Sequence, residues 1–541
     1  MKRYERSTVR AWALVALLFL ATALATQAQS QEPELFTYAE LVQLYENKDL
    51  PQALQVKLDR LLTTPFISNA ASARGVQPLL PRTPKLGRFI RVVQWNIEEG
   101  IEYQLLSAAF SDARRFAKLL DSSSYPAGSQ DRKKILQQVA LMKQADVIVL
   151  NEVDWGMKRT AYRNVAADLA SVLRMNYAYG VEFVEVDPIA LGTERFEEVS
   201  AEDRRKLETE IAVDKSRYRG LHGTAILSRF PLENVRLQPF ENQPHDWYTQ
   251  ELESVRPLEA GKRKAGDVVF REKIERQVRR GGRMMLTAEI ADQRIPGGRM
   301  TIVATHLEDK TKPKGRREQL NELLKHISTT NTALVVAGDM NTSTHDGTPL
   351  SLERALKNRF GSKSFWAKQA LGILTGIKLP SLLLTGMNAY RTQADPTVKS
   401  IPLVAPNPEA EFFDDLKDFR FADGNSFDFR GESERSIGAK DDTLANSNER
   451  GNKGFITTFE VERTIGFVGK FKLDWIFVKP PSLTDPNDKN QPHRLAPHFG
   501  RTLKELNEGP KDRISDHAPV MVDLPLDEPR LKRRVTASAP R

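Results

Sequence analysis

Six short stretches of this 541-residue chain place carboxylates, amides and histidines directly after apolar runs. They are Trp95-Asn96-Ile97-Glu98, Asn151-Glu152-Val153-Asp154, Thr305-His306-Leu307, Gly338-Asp339-Met340-Asn341, Leu473-Asp474-Trp475 and Ser515-Asp516-His517-Ala518. A strand alternates its side chains, so one polar residue at the end of each run can converge with the others above a sheet edge. Together the set offers oxygen and imidazole donors and no sulfur. Hard oxygen ligands select magnesium, manganese or calcium over zinc or copper. A divalent cation beside a carboxylate that orients water and an imidazole that moves a proton makes a metal-assisted site. Taken singly, His306 reads as a core or surface histidine, Glu152 as a solvated carboxylate, and Asp339 with Asn341 as turn formers. Only their place in an ordered series raises them above that.

The elements that must position these residues are legible as short apolar, β-rich runs. Ile90–Trp95, Val147–Leu150, Ala225–Leu227, Met285–Ile290, Thr301–Thr305, Leu334–Ala337, Trp475–Val478 and Val520–Val522 read as strands. Helical spacing marks Arg132–Gln144, Val165–Leu173 and Arg316–Ile327. Many strands with interspersed helices imply two packed sheets flanked by helices, a layered α+β architecture. Ahead of this body, Thr37 to Leu62 has helical spacing, with Thr37 and Glu40 placed as a capping box and Pro51 dividing it into a helical hairpin. Pro78–Pro84 reads as a linker. Every motif lies after it, so residues 31–84 are expected to be dispensable for assembling the site.

The N-terminus reads as a targeting signal over residues 1–28. Lys2, Arg3, Arg6 and Arg10 flank an apolar run from Ala11 to Ala25, followed by small residues up to Ala28. That run is shorter than the roughly 20 residues a membrane span needs, so cleavage should leave no stable span. The chain is expected to be exported, to the periplasm or beyond, and to be monomeric. It has no cysteine, which removes disulfides, thiolate metal sites and thiol nucleophiles. Its formal charge is +9, but the signal and the basic tail at 527–541 each carry +3, leaving a nearly balanced body that is weak evidence for nucleic acid. Three stretches break the strand–helix rhythm: 187–219, 243–283 and 344–470. They read as insertions on the body at 85–526, of the kind that sets substrate choice. Arg279, Arg280 and Arg283 read either as a phosphate groove or as a solvated face. His222, His245, His326, His345, His493 and His498 read as structural or surface residues.

The ordered series resembles the endonuclease/exonuclease/phosphatase superfamily, which includes deoxyribonuclease I, apurinic endonucleases and neutral sphingomyelinases. The resemblance runs from about Arg91 to Leu524, with the three insertions unmatched. It implies a four-layer α+β sandwich of two mainly antiparallel sheets flanked by helices. It also implies metal ligation by Asn96, Glu98, Glu152 and Asp516, with Glu152 the principal carboxylate. Asp339 and Asn341 resemble the pair that orients water and phosphate. Asp474 resembles the carboxylate that orients His517, and His306 the histidine of the central strand. The implied activity is hydrolysis of a phosphodiester or phosphomonoester with magnesium or manganese, calcium being a third candidate. The substrate could be extracellular DNA or RNA, or a phospholipid head group. A non-catalytic binding protein on the same fold is the rival reading. The stretches around Asp339 and Asp474 depart from the inositide 5-phosphatase patterns, which argues against that branch.

Overall fold

The computed structural model describes residues 32–195, 201–253, 277–342, 395–399, 407–439, 444, 446–451, 454–465 and 468–530. Residues 1–31, the end of the tail and much of the 344–470 stretch, including His345, lie outside the described residues. The principal strands are β1 (Gly87–Asn96), β2 (Val147–Trp155), β3 (Asn176–Glu185), β4 (Leu221–Ser228), β5 (Leu232–Pro239), β6 (Arg279–Gly281), β7 (Met284–Ala291), β8 (Arg299–His306), β9 (Ala333–Asp339), β10 (Asp474–Lys479), β11 (His498–Thr502) and β12 (Val520–Pro525).

They form two sheets. One runs β3-β4-β2-β1-β12-β11, with the short strand Phe66–Ser68 beyond β3 and with β6 also paired to β3; the other runs β10-β9-β8-β7-β5. Pairing is antiparallel except for β1 with β2 and β8 with β9. The period-two alternation of these strands explains the layering. Ile90, Val92, Val147 and Val149 point inward and share a core with Leu286, Ala288, Ile302, Ala304, Val335 and Ala337 of the facing sheet. Val93, Trp95, Ile148 and Leu150 point outward and are covered by the helices Tyr103–Ser111, Gln130–Met142 and Val165–Leu173. On the far side, Val303, Leu334 and Val336 meet the helices Pro313–Ile327 and Ala410–Asp418. The result is helices, sheet, sheet, helices, the expected four-layer α+β sandwich.

Two expectations about the periphery change. The hairpin forms as helices Tyr38–Glu46 and Gln52–Thr63, with the Thr37–Glu40 capping box in place. It is no appendage, however. Leu41, Leu44, Leu58, Leu61 and Phe66 are buried in the core under the first sheet, and Phe66–Ser68 extends that sheet. Within 344–470, the Ala410–Asp418 helix is part of the fourth layer rather than a surface decoration, because Phe412, Phe413 and Leu416 pack on the second sheet. Among the described residues, no helix is long and apolar enough to cross a membrane.

Candidate active site

Strand register brings the motifs together. His306 at the end of β8 lies beside Asp339 of β9, and Asp339 lies beside Asp474 of β10. In the other sheet Asn96 of β1 lies beside Asn151 of β2. Asn151 ties the sheets at this edge: its Oδ1 accepts from the Asp339 amide at 2.9 Å, and its Nδ2 donates to the Thr305 carbonyl at 3.0 Å. Gly338 is required where β9 meets β8, since a Cβ there would fall 1.8 Å from the carbonyl oxygen of its register partner Thr305.

The chain leaves extended geometry where the site begins. Glu98, Glu99, Glu152 and Asn341 all have positive φ, between 46° and 64°. That conformation costs a non-glycine residue roughly 1–2 kcal/mol. A bulge in the β2–β4 pairing between Leu150 and Val153 accompanies the turn at Glu152. These residues line a cleft of about 300 Å³ together with His306, Asp339, Asp516 and His517.

Asp339 is the hub. Its Oδ1 accepts from the Asn341 amide at 2.9 Å, and its Oδ2 accepts from Asn96 Nδ2 at 3.1 Å. Oδ2 also lies 3.6 Å from His517 Nε2 and 3.7 Å from His306 Nε2. Burial raises its carboxyl to about 6, even with His517 opposing the rise. The two histidines hold different charges. Burial disfavours charge on His517, yet Asp474, Asp339 and Asp516 hold it well above the usual histidine value. Its Nδ1 sits 2.8 Å from Asp474 Oδ2. Burial and then Arg283 push His306 well below that value. Arg283 Nη1 donates to His306 Nδ1 at 2.8 Å, and Nε2 lies 3.1 Å from Asn341 Nδ2 and 3.7 Å from Asp339 Oδ2.

The carboxylates on the other wall behave differently. Glu98 and Glu152 are each raised to about 8, first by burial and then by Asp516. Asn96 donates to Glu152 at 2.9 Å, while its own Oδ1 accepts from the Glu98 amide and Glu98 accepts from the Asp516 amide. Acids that oppose one another's charge in a half-buried wall are those a divalent cation would relieve, and their donors are all hard oxygens. The donor set therefore fits a magnesium- or manganese-like ion at Glu98, Glu152 and Asp516. Asn96 fits as a bridging residue that orients Glu152 and Asp339, since both ends of its amide are engaged. Among the described residues, the tightest acid–histidine group is Asp339, Asp474 and His517, with ligand atoms within 4.8 Å of one another. That group is already paired internally, and a protonated His517 offers no lone pair to a metal.

The structure also gathers residues from outside the six motifs. Glu99, His222, Trp247, Arg279, Arg283, Asp309 and Phe459 line the same cleft. The arginines form neither an open phosphate groove nor a solvated face. Arg279 pairs with Glu185 at 2.9 Å, Arg283 with Glu182 at 2.8 Å and Asp309 at 2.9 Å, and both are buried. Arg280 turns away and donates to the Leu44 and Asn47 carbonyls of the N-terminal segment. The available signal was the alternation of Arg279, Gly281 and Arg283 before β7, which places two arginines on one side. His222 likewise opens β4 on the cleft side and is buried, not superficial.

A family model described as the Endonuclease/Exonuclease/phosphatase family matches residues 93–517. No curated protein matches the sequence. Among solved structures, the chain is similar to an endonuclease/exonuclease/phosphatase from Beutenbergia cavernae at 16% identity and a TM-score of 0.34, covering 81% of this chain and 72% of that one. It is similar to a 3'-5' exonuclease from Neisseria meningitidis at 12% identity and a TM-score of 0.36, covering 80% and 99%. An AP endonuclease from Archaeoglobus fulgidus is similar at 13% identity and a TM-score of 0.33, covering 80% and 99%.

Proposed function

The chain belongs to the Endonuclease/Exonuclease/phosphatase family, whose members are hydrolases of phosphoester bonds, and on that premise we propose that it is an exported, magnesium- or manganese-dependent phosphoester hydrolase. The observation that carries the reading is the placement of Asp339 between His517 and His306, opposite the Glu98–Glu152–Asp516 wall.

Each residue has a task that its environment suits. Asp339 orients a water and accepts its proton as it attacks phosphorus. His517, held charged by Asp474, donates toward the oxygens on which charge grows in the transition state. His306 donates through Nε2 and Asn341 through its amide to the same oxygens. A divalent ion at Glu98, Glu152 and Asp516 would neutralise the phosphate and the departing oxygen. The N-terminal leader supports export to the periplasm or beyond. The nearly neutral body favours neither nucleic acid nor phospholipid as the substrate.

The test is hydrolysis by the purified mature protein of a panel: DNA, RNA, sphingomyelin, phosphatidylinositol phosphates and bis-p-nitrophenyl phosphate. Activity should vanish on dialysis against EDTA and return with magnesium or manganese. Undiminished turnover in excess EDTA would exclude the metal-dependent reading.

A further inference from the structure

His222 has no part in the chemistry above, yet it lines the cleft and is buried. Its ring is held at one end. Nδ1 lies 3.1 Å from Asp154 Oδ1, and Asp154 is itself clamped by Arg159 through Nε at 2.7 Å and Nη2 at 3.0 Å. A carboxylate so clamped is an acceptor only, so the imidazole donates through Nδ1–H. The neutral ring then keeps a lone pair on Nε2. Among the described residues Nε2 has no hydrogen-bond partner, and it is the end of the ring opposite Asp154.

The surroundings decide what that lone pair can receive. Burial first, and then Arg279, Arg159 and Arg283, disfavour positive charge at this ring. An ammonium group is therefore a poor guest, and an anion would meet a lone pair. A neutral donor remains, and the commonest on the alcohol part of a phosphate ester is a hydroxyl. His222 also sits beside the phosphate-handling end of the cleft. Phe183 lies 6.3 Å from the His222 ring and carries the Arg283 guanidinium 5.2 Å from its own centroid, while Arg283 holds His306.

We propose that His222 is a specificity-determining residue that accepts, through Nε2, a hydrogen bond from a hydroxyl on the alcohol portion of the ester. The inference rests on the phosphoesterase reading and names the substrate feature it selects. That feature occurs on nucleoside sugars and on polyol head groups alike.

The experiment compares wild type, His222→Phe and His222→Gln on three esters with the same leaving group: bis-p-nitrophenyl phosphate, which has no hydroxyl, thymidine 5'-p-nitrophenyl phosphate, and glyceryl p-nitrophenyl phosphate. Hydrolysis of the first by the wild type tests the phosphoesterase reading independently of His222. In His222→Phe, kcat/KM should fall about tenfold further on at least one hydroxyl-bearing ester than on bis-p-nitrophenyl phosphate, with the difference mostly in KM. His222→Gln, which keeps an acceptor near the Nε2 position, should recover part of it. Loss confined to the thymidine ester assigns a sugar hydroxyl; loss confined to the glyceryl ester assigns a head-group hydroxyl. Equal losses on all three esters would mean a structural role only, and equal rates in all variants would mean no contact; either overturns the proposal.

Discussion

The Asp474 carboxylate and the His517 imidazole meet at 2.8 Å, Oδ2 to Nδ1, with both residues buried. Asp474 is held in place by a second bond, from Gln94 Nε2 at 3.0 Å. This pairing sustains charge on a ring that burial alone would neutralise, and it turns Nε2 toward Asp339.

Asp474→Asn should therefore disarm His517 without removing it. The amide keeps the size but not the charge, so the ring loses its main electrostatic support. Turnover should fall roughly 10²-fold, on the scale of losing a general acid–base group. Substrate binding should change much less. Steady-state kinetics with a binding measurement in calcium would check this; a loss confined to KM would count against it.

Removing residues 32–84 should unfold the protein. Each buried leucine of the segment contributes about 1.5–3 kcal/mol, and Phe66–Ser68 pairs with β3. Tyr248 Oη donates to the Tyr45 carbonyl at 2.7 Å and Arg280 to that of Leu44 at 3.0 Å, so the segment also braces the cleft wall. The sequence suggested the opposite, because every motif lies downstream. A soluble truncation with native circular dichroism would restore the view that the segment is dispensable.

Part of the 344–470 stretch is a buried electrostatic clasp, and it gives a pH test. Asp428 bonds Arg430 at 2.8 Å and Arg435 at 3.0 Å, all three side chains being inaccessible. Burial opposes the carboxylate, but Arg435 and Arg430 hold its pKa well below the ordinary value. A depressed carboxyl contributes stability that is full above its unfolded value, about 3.9, and is lost as pH falls through the folded value. Asp428→Asn should cost about 3–5 kcal/mol near neutrality by leaving buried guanidinium charge uncompensated. It should also remove this component of the acid sensitivity below about pH 4. Urea melts of both proteins from pH 3 to 7 would show the two curves converging toward acid. Parallel curves would refute the clasp.

The catalytic strands were legible because each is a short apolar run ended by a polar motif. Ala304-Thr305-His306 and Ala337-Gly338-Asp339 read as strand ends, and they are register partners. Asn176–Glu185 was missed. It carries Glu182 and Glu185 in otherwise apolar surroundings, so its alternation looked broken until Arg283 and Arg279 supplied their partners. The same fact hid the cleft wall. Charged residues that neutralise one another across 90 or more positions of sequence look solvated one at a time, and only the fold shows that they are buried. Asn96 illustrates a subtler limit. Its type fits a metal ligand, and its bonds to Glu152, Asp339 and the Glu98 amide, which no sequence pattern shows, also make it a bridge.

The central claim is that Asp339 activates water. Asp339→Asn keeps the side chain's size and its place beside the Asn341 amide, and it leaves Glu98, Glu152 and Asp516 untouched. The decisive measurement is the single-turnover rate of this variant on bis-p-nitrophenyl phosphate in magnesium, alongside binding of the same ester in calcium. The rate should fall by about 10²-fold or more with binding preserved. A variant that hydrolyses the ester at the wild-type rate would contradict the assignment.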